Sequence, residues 1–131
     1  MYKRKIMDDL IAWKNDAGKK KALVIKGMRQ IGKTFIVKAF AEENYENVVY
    51  INFKDNESAK KIFDGDFVIN RITLDISALF PGTHFVPGKT IIIFDEVQEC
   101  ANARASIKAF MLDGRYDVIC TGSLLGIKGY N

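Results

Sequence analysis

Eight consecutive residues, Gly27-Met28-Arg29-Gln30-Ile31-Gly32-Lys33-Thr34, match the phosphate-binding pattern G-x-x-x-x-G-K-S/T at every fixed position. Such a loop wraps the phosphate tail of a nucleotide. Gly27 and Gly32 permit backbone angles and a close approach that a side chain would block, so successive N–H groups can curl round phosphate oxygens at the positive end of a following helix. Lys33 supplies a point charge for the outer phosphates. Thr34 offers a hydroxyl to Mg²⁺, an ion that takes oxygen ligands and keeps several waters. The candidate nucleotide-binding stretch runs from Gly27 through Phe35.

A second group lies 62 residues beyond Lys33, where Ile91-Ile92-Ile93-Phe94 runs into Asp95-Glu96. An acid at the tip of a buried strand is the form a Mg²⁺-side carboxylate takes, and Asp95 is that candidate. Glu96, one residue on and directed elsewhere, is suited to accept a proton from, or orient, a water attacking the terminal phosphate. A third group is Thr121-Gly122-Ser123. Either Thr121 or Ser123 could set a hydroxyl near the terminal phosphate, against the plainer alternative that Ser123 is a helix cap or turn residue.

These residues need elements to bring them together. Ile6, Leu10, Ile11 and Trp13 predict a helix over about residues 3–15, ended by Asn15-Asp16-Ala17-Gly18. Ala22-Leu23-Val24-Ile25 marks a short buried strand over 21–26, and a helix from Lys33 to about Asn44 follows the loop. Residues 47–53 read as a second strand. Two helices are expected between residues 58 and 80, broken at Asp64-Gly65-Asp66, with Ile62, Phe63, Ile69, Ile72, Ile76, Leu79 and Phe80 facing the core. A loop spans Pro81 to Gly88. Residues 90–94 are so continuously apolar that they predict a strand buried on both faces. A helix over 102–112, with Ile107, Phe110 and Met111 inward, and a fourth strand over 116–121 complete the pattern. Alternation of strands and helices predicts an α/β fold with a parallel sheet, whose ligand lies beyond the carboxyl ends of the strands. The loop, the acids and the hydroxyls all fall at that edge in this reading.

A chain of 131 residues, 48% hydrophobic with 2 Pro, is one domain in size and able to bury a core. It shows no apolar run of membrane-spanning length, and Asp8 and Asp9 follow the basic start where a signal-peptide core would need apolar residues, so a cytoplasmic location is expected. Cys100 and Cys120 are far apart, and His84 stands alone in a loop, which argues against a zinc site or a disulfide framework. Residues 1–38 hold 11 of the 20 Lys/Arg but 3 of the 16 Asp/Glu. That basic half admits nucleic acid as a partner, but the aromatic interleaving of a single-strand platform is missing.

The set G-x-R-Q-x-G-K-T at 27–34, Ile92-Ile93-Phe94-Asp95-Glu96-Val97-Gln98-Glu99, and Thr121-Gly122-Ser123-Leu124-Leu125-Gly126 resembles the prokaryotic AAA-type ATPases of the R-Q-x-G-K-T group, relatives of the STAND and archaeal ATPases. The resemblance covers nearly the whole chain. It implies a three-layer P-loop NTPase of the additional-strand type with sheet order 5-1-4-3-2, ATP as the nucleotide, Asp95 as the Mg²⁺-side acid, Glu96 as the hydrolytic base and Ser123 as sensor. Family members continue past this strand and usually carry a C-terminal domain similar to restriction endonucleases. On that comparison residues 1–131 are the N-terminal part of an ATPase domain, lacking strand 5, sensor 2 and an arginine finger. Expected partners are ATP and ADP, a C-terminal domain, and other copies of the chain meeting through neighbouring protomers or an exposed strand edge; no membrane partner is expected. ATP hydrolysis within a larger regulatory or DNA-associated protein is the leading expectation, and a nucleotide-dependent switch with negligible turnover the alternative. A small-molecule kinase is disfavoured by Glu96 beside Asp95, and GTP by the lack of an N-K-x-D base-reading motif. The segment Glu99-Cys100-Ala101-Asn102-Ala103 departs from the Pro-containing turn of the family at the start of the next helix.

Overall fold

The computed structural model describes residues 2–16, 18, 22–27 and 31–123. Helix α1 (Tyr2–Asn15) precedes strand β1 (Ala22–Gly27), and α2 (Ile31–Asn44) leads to β2 (Asn47–Asn52). Helix α3 (Glu57–Lys60) tightens into a 3-10 turn (Lys61–Phe63) before α4 (Ile69–Leu79). Strand β3 (Thr90–Asp95), a 3-10 turn (Val97–Glu99), α5 (Ala101–Ala105), α6 (Ile107–Asp113) and β4 (Asp117–Ser123) complete the chain order. No helix among the described residues is long and apolar enough to cross a membrane.

All strand pairs are parallel and the order is β1-β4-β3-β2, the 1-4-3-2 portion of the expected arrangement. Parallel neighbours need crossovers, and the helices that make them cover both faces. Every residue of β3 is buried, as its unbroken apolar run requires.

The two-residue period of the strands divides the core in two. Ile91, Ile93 and Ile119 face Leu10 of α1 and Ile36, Val37 and Phe40 of α2. Ile92, Phe94, Val118 and Cys120 face Ile72 and Ile76 of α4 and Ile107 and Phe110 of α6. On that second face Phe94 meets Phe53, Phe63 and Phe110 edge-on, with ring centroids 5.5, 5.4 and 5.9 Å away. The residue next to Asp95 is therefore locked by aromatic packing, and Phe53 N–H also donates to the Asp95 carbonyl at 3.0 Å.

Several expectations shift. The helix expected over 102–112 is two short helices broken at Ser106, whose buried hydroxyl donates to the Ala103 carbonyl at 2.7 Å. That back-bond competes with the regular helical ladder and bends the chain. Leu79 and Ile11, expected inside, are 39% and 36% exposed. Leu79 is the last residue of α4, past the point where its apolar stripe leaves the sheet, while Phe80 still packs against the core. Strand β4 extends through Ser123, so Thr121-Gly122-Ser123 ends the strand where a following turn was expected. Asp95 is likewise the final residue of β3.

Candidate functional site

The carboxyl edge of the sheet gathers the chemistry. Gly27 ends β1 in register with Ser123, the last residue of β4, and Lys26 pairs with Gly122. On β3, Phe94 pairs with Cys120, and Asp95 reaches the next β4 residue, Thr121, through its side chain. Two strand spacings separate β1 from β3, so the start of the loop and the tip carrying Asp95 are about 10 Å apart laterally. Met28, Arg29 and Gln30 lie outside the described residues. Ile31, Gly32 and Lys33 form the opening of α2, followed by half-buried Thr34 and by Phe35, which is 64% exposed.

Asp95 is 5% exposed, so its carboxylate must find partners within the protein. Its Oδ1 accepts from Thr121 Oγ1 at 2.6 Å and from the Glu96 N–H at 2.8 Å. Its Oδ2 accepts from the Tyr50 hydroxyl on β2. Burial first, and then that hydrogen bond to Asp95, push the Tyr50 phenol above the usual tyrosine range, so Tyr50 remains a donor at neutral pH. The Lys38 ammonium sits 4.2 Å from the centre of the Tyr50 ring. Thr34 is four residues before Lys38 on the same helix face, one turn nearer the strand tips. Helix α2 thus sets Lys38 over Tyr50, the residue whose hydroxyl donates to Asp95.

Glu96 adopts φ 53°, ψ 45°, the left-handed region, and among the described residues it is the one non-glycine residue with positive φ. Such backbone costs a non-glycine residue of order 1–3 kcal/mol and clusters at functional sites. The turn takes the Glu96 side chain off the β3 ladder, where its Oε1 accepts from Gln98 Nε2 at 2.6 Å. Cys100 and Cys120 are buried thiols, with burial pushing Cys120 up to about 12, so neither is a ready nucleophile. His84 is exposed on the loop before β3, at the opposite edge of the sheet.

Among the described residues no group of three His, Cys, Asp or Glu gathers. One carboxylate and a hydroxyl suit Mg²⁺, which is commonly held by one or two protein oxygens together with substrate phosphates and water. Tyr50 and Gln98 were not singled out by the sequence patterns. Tyr50 looks like any aromatic strand residue until β2 is placed beside β3 in register, with Tyr50 opposite Ile93 and so on the same face as Asp95. Replacing it, Tyr50→Phe, removes a donor from a buried carboxylate. The unfolding free energy is expected to fall by about 1–3 kcal/mol in urea titration. An unchanged midpoint would show that the hydroxyl contributes nothing there.

A family model described as AAA domain matches residues 19–128. No curated protein matches the chain. Among solved structures, C. elegans PCH-2 superposes with a TM-score of 0.56 at 17% identity, over 99% of this chain and 38% of that one. A DNA replication initiation factor superposes with a TM-score of 0.51 at 14% identity, over 91% of this chain and 36% of that one. The chain therefore spans little more than a third of either, and at these identities the likeness is one of fold.

Proposed function

The chain belongs to the AAA domain family, a family of nucleotide-binding ATPases, and from that premise we propose that it binds ATP and, with Mg²⁺, hydrolyses it to ADP and phosphate. The observation that carries this reading is the shared carboxyl edge, where β1 opens into the phosphate-loop sequence and β3 ends in Asp95, with Glu96 directly after it. Backbone amides from Gly27 to Thr34, including Met28, Arg29, Gln30, Ile31 and Gly32, would cradle the phosphates, Lys33 would hold the outer ones, and Phe35 would border the nucleotide. Thr34 and Asp95 would hold Mg²⁺, which when bound draws charge from the terminal phosphates.

Glu96 accepts the proton of the attacking water, and Ser123, at the end of β4 beside Gly27, reports on the terminal phosphate. We assign the chain as part of the ATPase module of a larger cytoplasmic regulatory or DNA-associated protein, acting with other copies of itself. Titration with ATP in a calorimeter, with and without Mg²⁺, tests the core of the reading. Binding that Mg²⁺ strengthens, with phosphate release that requires the ion, is the expected result, and absence of binding overturns it.

A further inference from the structure

Gln98 occupies the 3-10 turn Val97–Glu99, two residues past Glu96, and its Nε2 donates to Glu96 Oε1 at 2.6 Å. A carboxylate oxygen accepts, so the amide must turn its nitrogen to Glu96 and its carbonyl away. That carbonyl, Gln98 Oε1, is buried and has no hydrogen-bond partner among the described residues. It lies against Gly122 of β4, where a Cβ on residue 122 would overlap it. Gly122 pairs with Lys26 and directly precedes Ser123, which pairs with Gly27. One side chain therefore bonds the Glu96 carboxylate at one end and packs at the other against Gly122, where β4 borders the start of the phosphate loop.

The backbone explains why Glu96 needs such a link. Glu96 stands at φ 53° beyond the end of the β3 ladder, so the sheet does not set where its carboxylate points. A carboxylate that must meet a water in line with a phosphate loses rate steeply if its position wanders. We infer that Gln98 is the positioning residue for Glu96: its amide nitrogen holds Oε1 and leaves Oε2 to accept from the attacking water, while its carbonyl packs into the space beside Gly122. The absence of a side chain at Gly122 reserves the space the Gln98 carbonyl occupies. The inference rests on the hydrolytic reading above and assigns to Gln98 a role in kcat and none in ATP binding.

Gln98→Met keeps the length and packing of the side chain and removes the amide. In the full chain, Gln98→Met and Gln98→Ala are expected to lower kcat about 10- to 100-fold, with KM for ATP within about twofold of the parent. Gly122→Ala displaces Gln98 and reproduces the kcat loss. The double variant Gly122→Ala/Gln98→Met loses little more than either single one, because both break the same link. Parent-like kcat in Gln98→Met, beside an inactive Glu96→Gln, overturns this inference and leaves the hydrolytic reading standing. Parent-like kcat in Glu96→Gln removes Glu96 from the mechanism and the role of Gln98 with it, while absence of ATP binding by the parent is what overturns the hydrolytic reading. A second readout needs no turnover: the Gln98 side-chain amide resonances in ¹H–¹⁵N spectra should move when Glu96→Gln neutralises their acceptor. Unmoved resonances overturn the link itself.

Discussion

Glu96→Gln is expected to leave ATP bound while turnover falls by about 10²–10⁴-fold, the range spanned by loss of a general base. The substitution is close to isosteric, so the left-handed backbone at this position and the packing of the turn should survive it. What changes is the proton affinity of the group facing the water. An amide oxygen can accept a hydrogen bond but cannot take the proton away, so attack on the phosphate loses its base while the phosphate contacts are untouched. Calorimetry should give a dissociation constant for ATP within about threefold of the parent, and a phosphate-release assay should give almost no turnover. Equal kcat in parent and variant would remove Glu96 from the mechanism.

Lys33→Ala is expected to do the reverse, weakening ATP itself. Residue 33 lies in the opening turn of α2, where the N–H groups of a helix start already favour an anion. Without the ammonium those amides face the outer phosphates unaided. A charge-assisted contact of about 1.5–3 kcal/mol corresponds to about a 10- to 150-fold rise in the dissociation constant. Titration of ATP with Mg²⁺ in a calorimeter measures it directly, and equal affinity of parent and variant would defeat the assignment of residues 27–34 as a phosphate cradle. The two substitutions separate binding from chemistry, because Lys33 acts mainly on affinity and Glu96 on rate.

Much of the architecture was legible along the chain because its signals are contiguous. The short apolar run 90–94 has the length and β-branched content of a strand buried on both faces, and the helical spacing of Ile69, Ile72 and Ile76 gives one apolar stripe to lay on a sheet. The β1-β4-β3-β2 order was not legible in periodicity and entered through the family resemblance, because nothing local in residues 22–27 says that their neighbour is residues 118–123. The same limit applies at the site. Asp95 and Glu96 stand out as adjacent acids after an apolar run, whereas Tyr50 and Gly122 matter only through strand register and close approach. Gln98 lies two residues from Glu96, but its contact depends on the left-handed turn between them, which a glutamate does not advertise. The break at Ser106 was hidden for a related reason, since a serine inside a helical stripe is ordinary until its hydroxyl turns back onto the Ala103 carbonyl.

Among the described residues, strand β1 hydrogen-bonds to β4 alone, and Ala22 meets Val118 about 96 residues later. On a ribosome adding about 5–20 residues per second, the first strand would wait on the order of 5–20 s for its neighbour. During that interval β2 and β3 can already zip together, while the Ala22-Leu23-Val24-Ile25 edge stays open to chaperones or to other nascent chains. Competence to grip a nucleotide would then arrive late and all at once, with translation of β4. A nascent polypeptide stalled before Asp117 would carry the intact loop sequence without the strand that supports it.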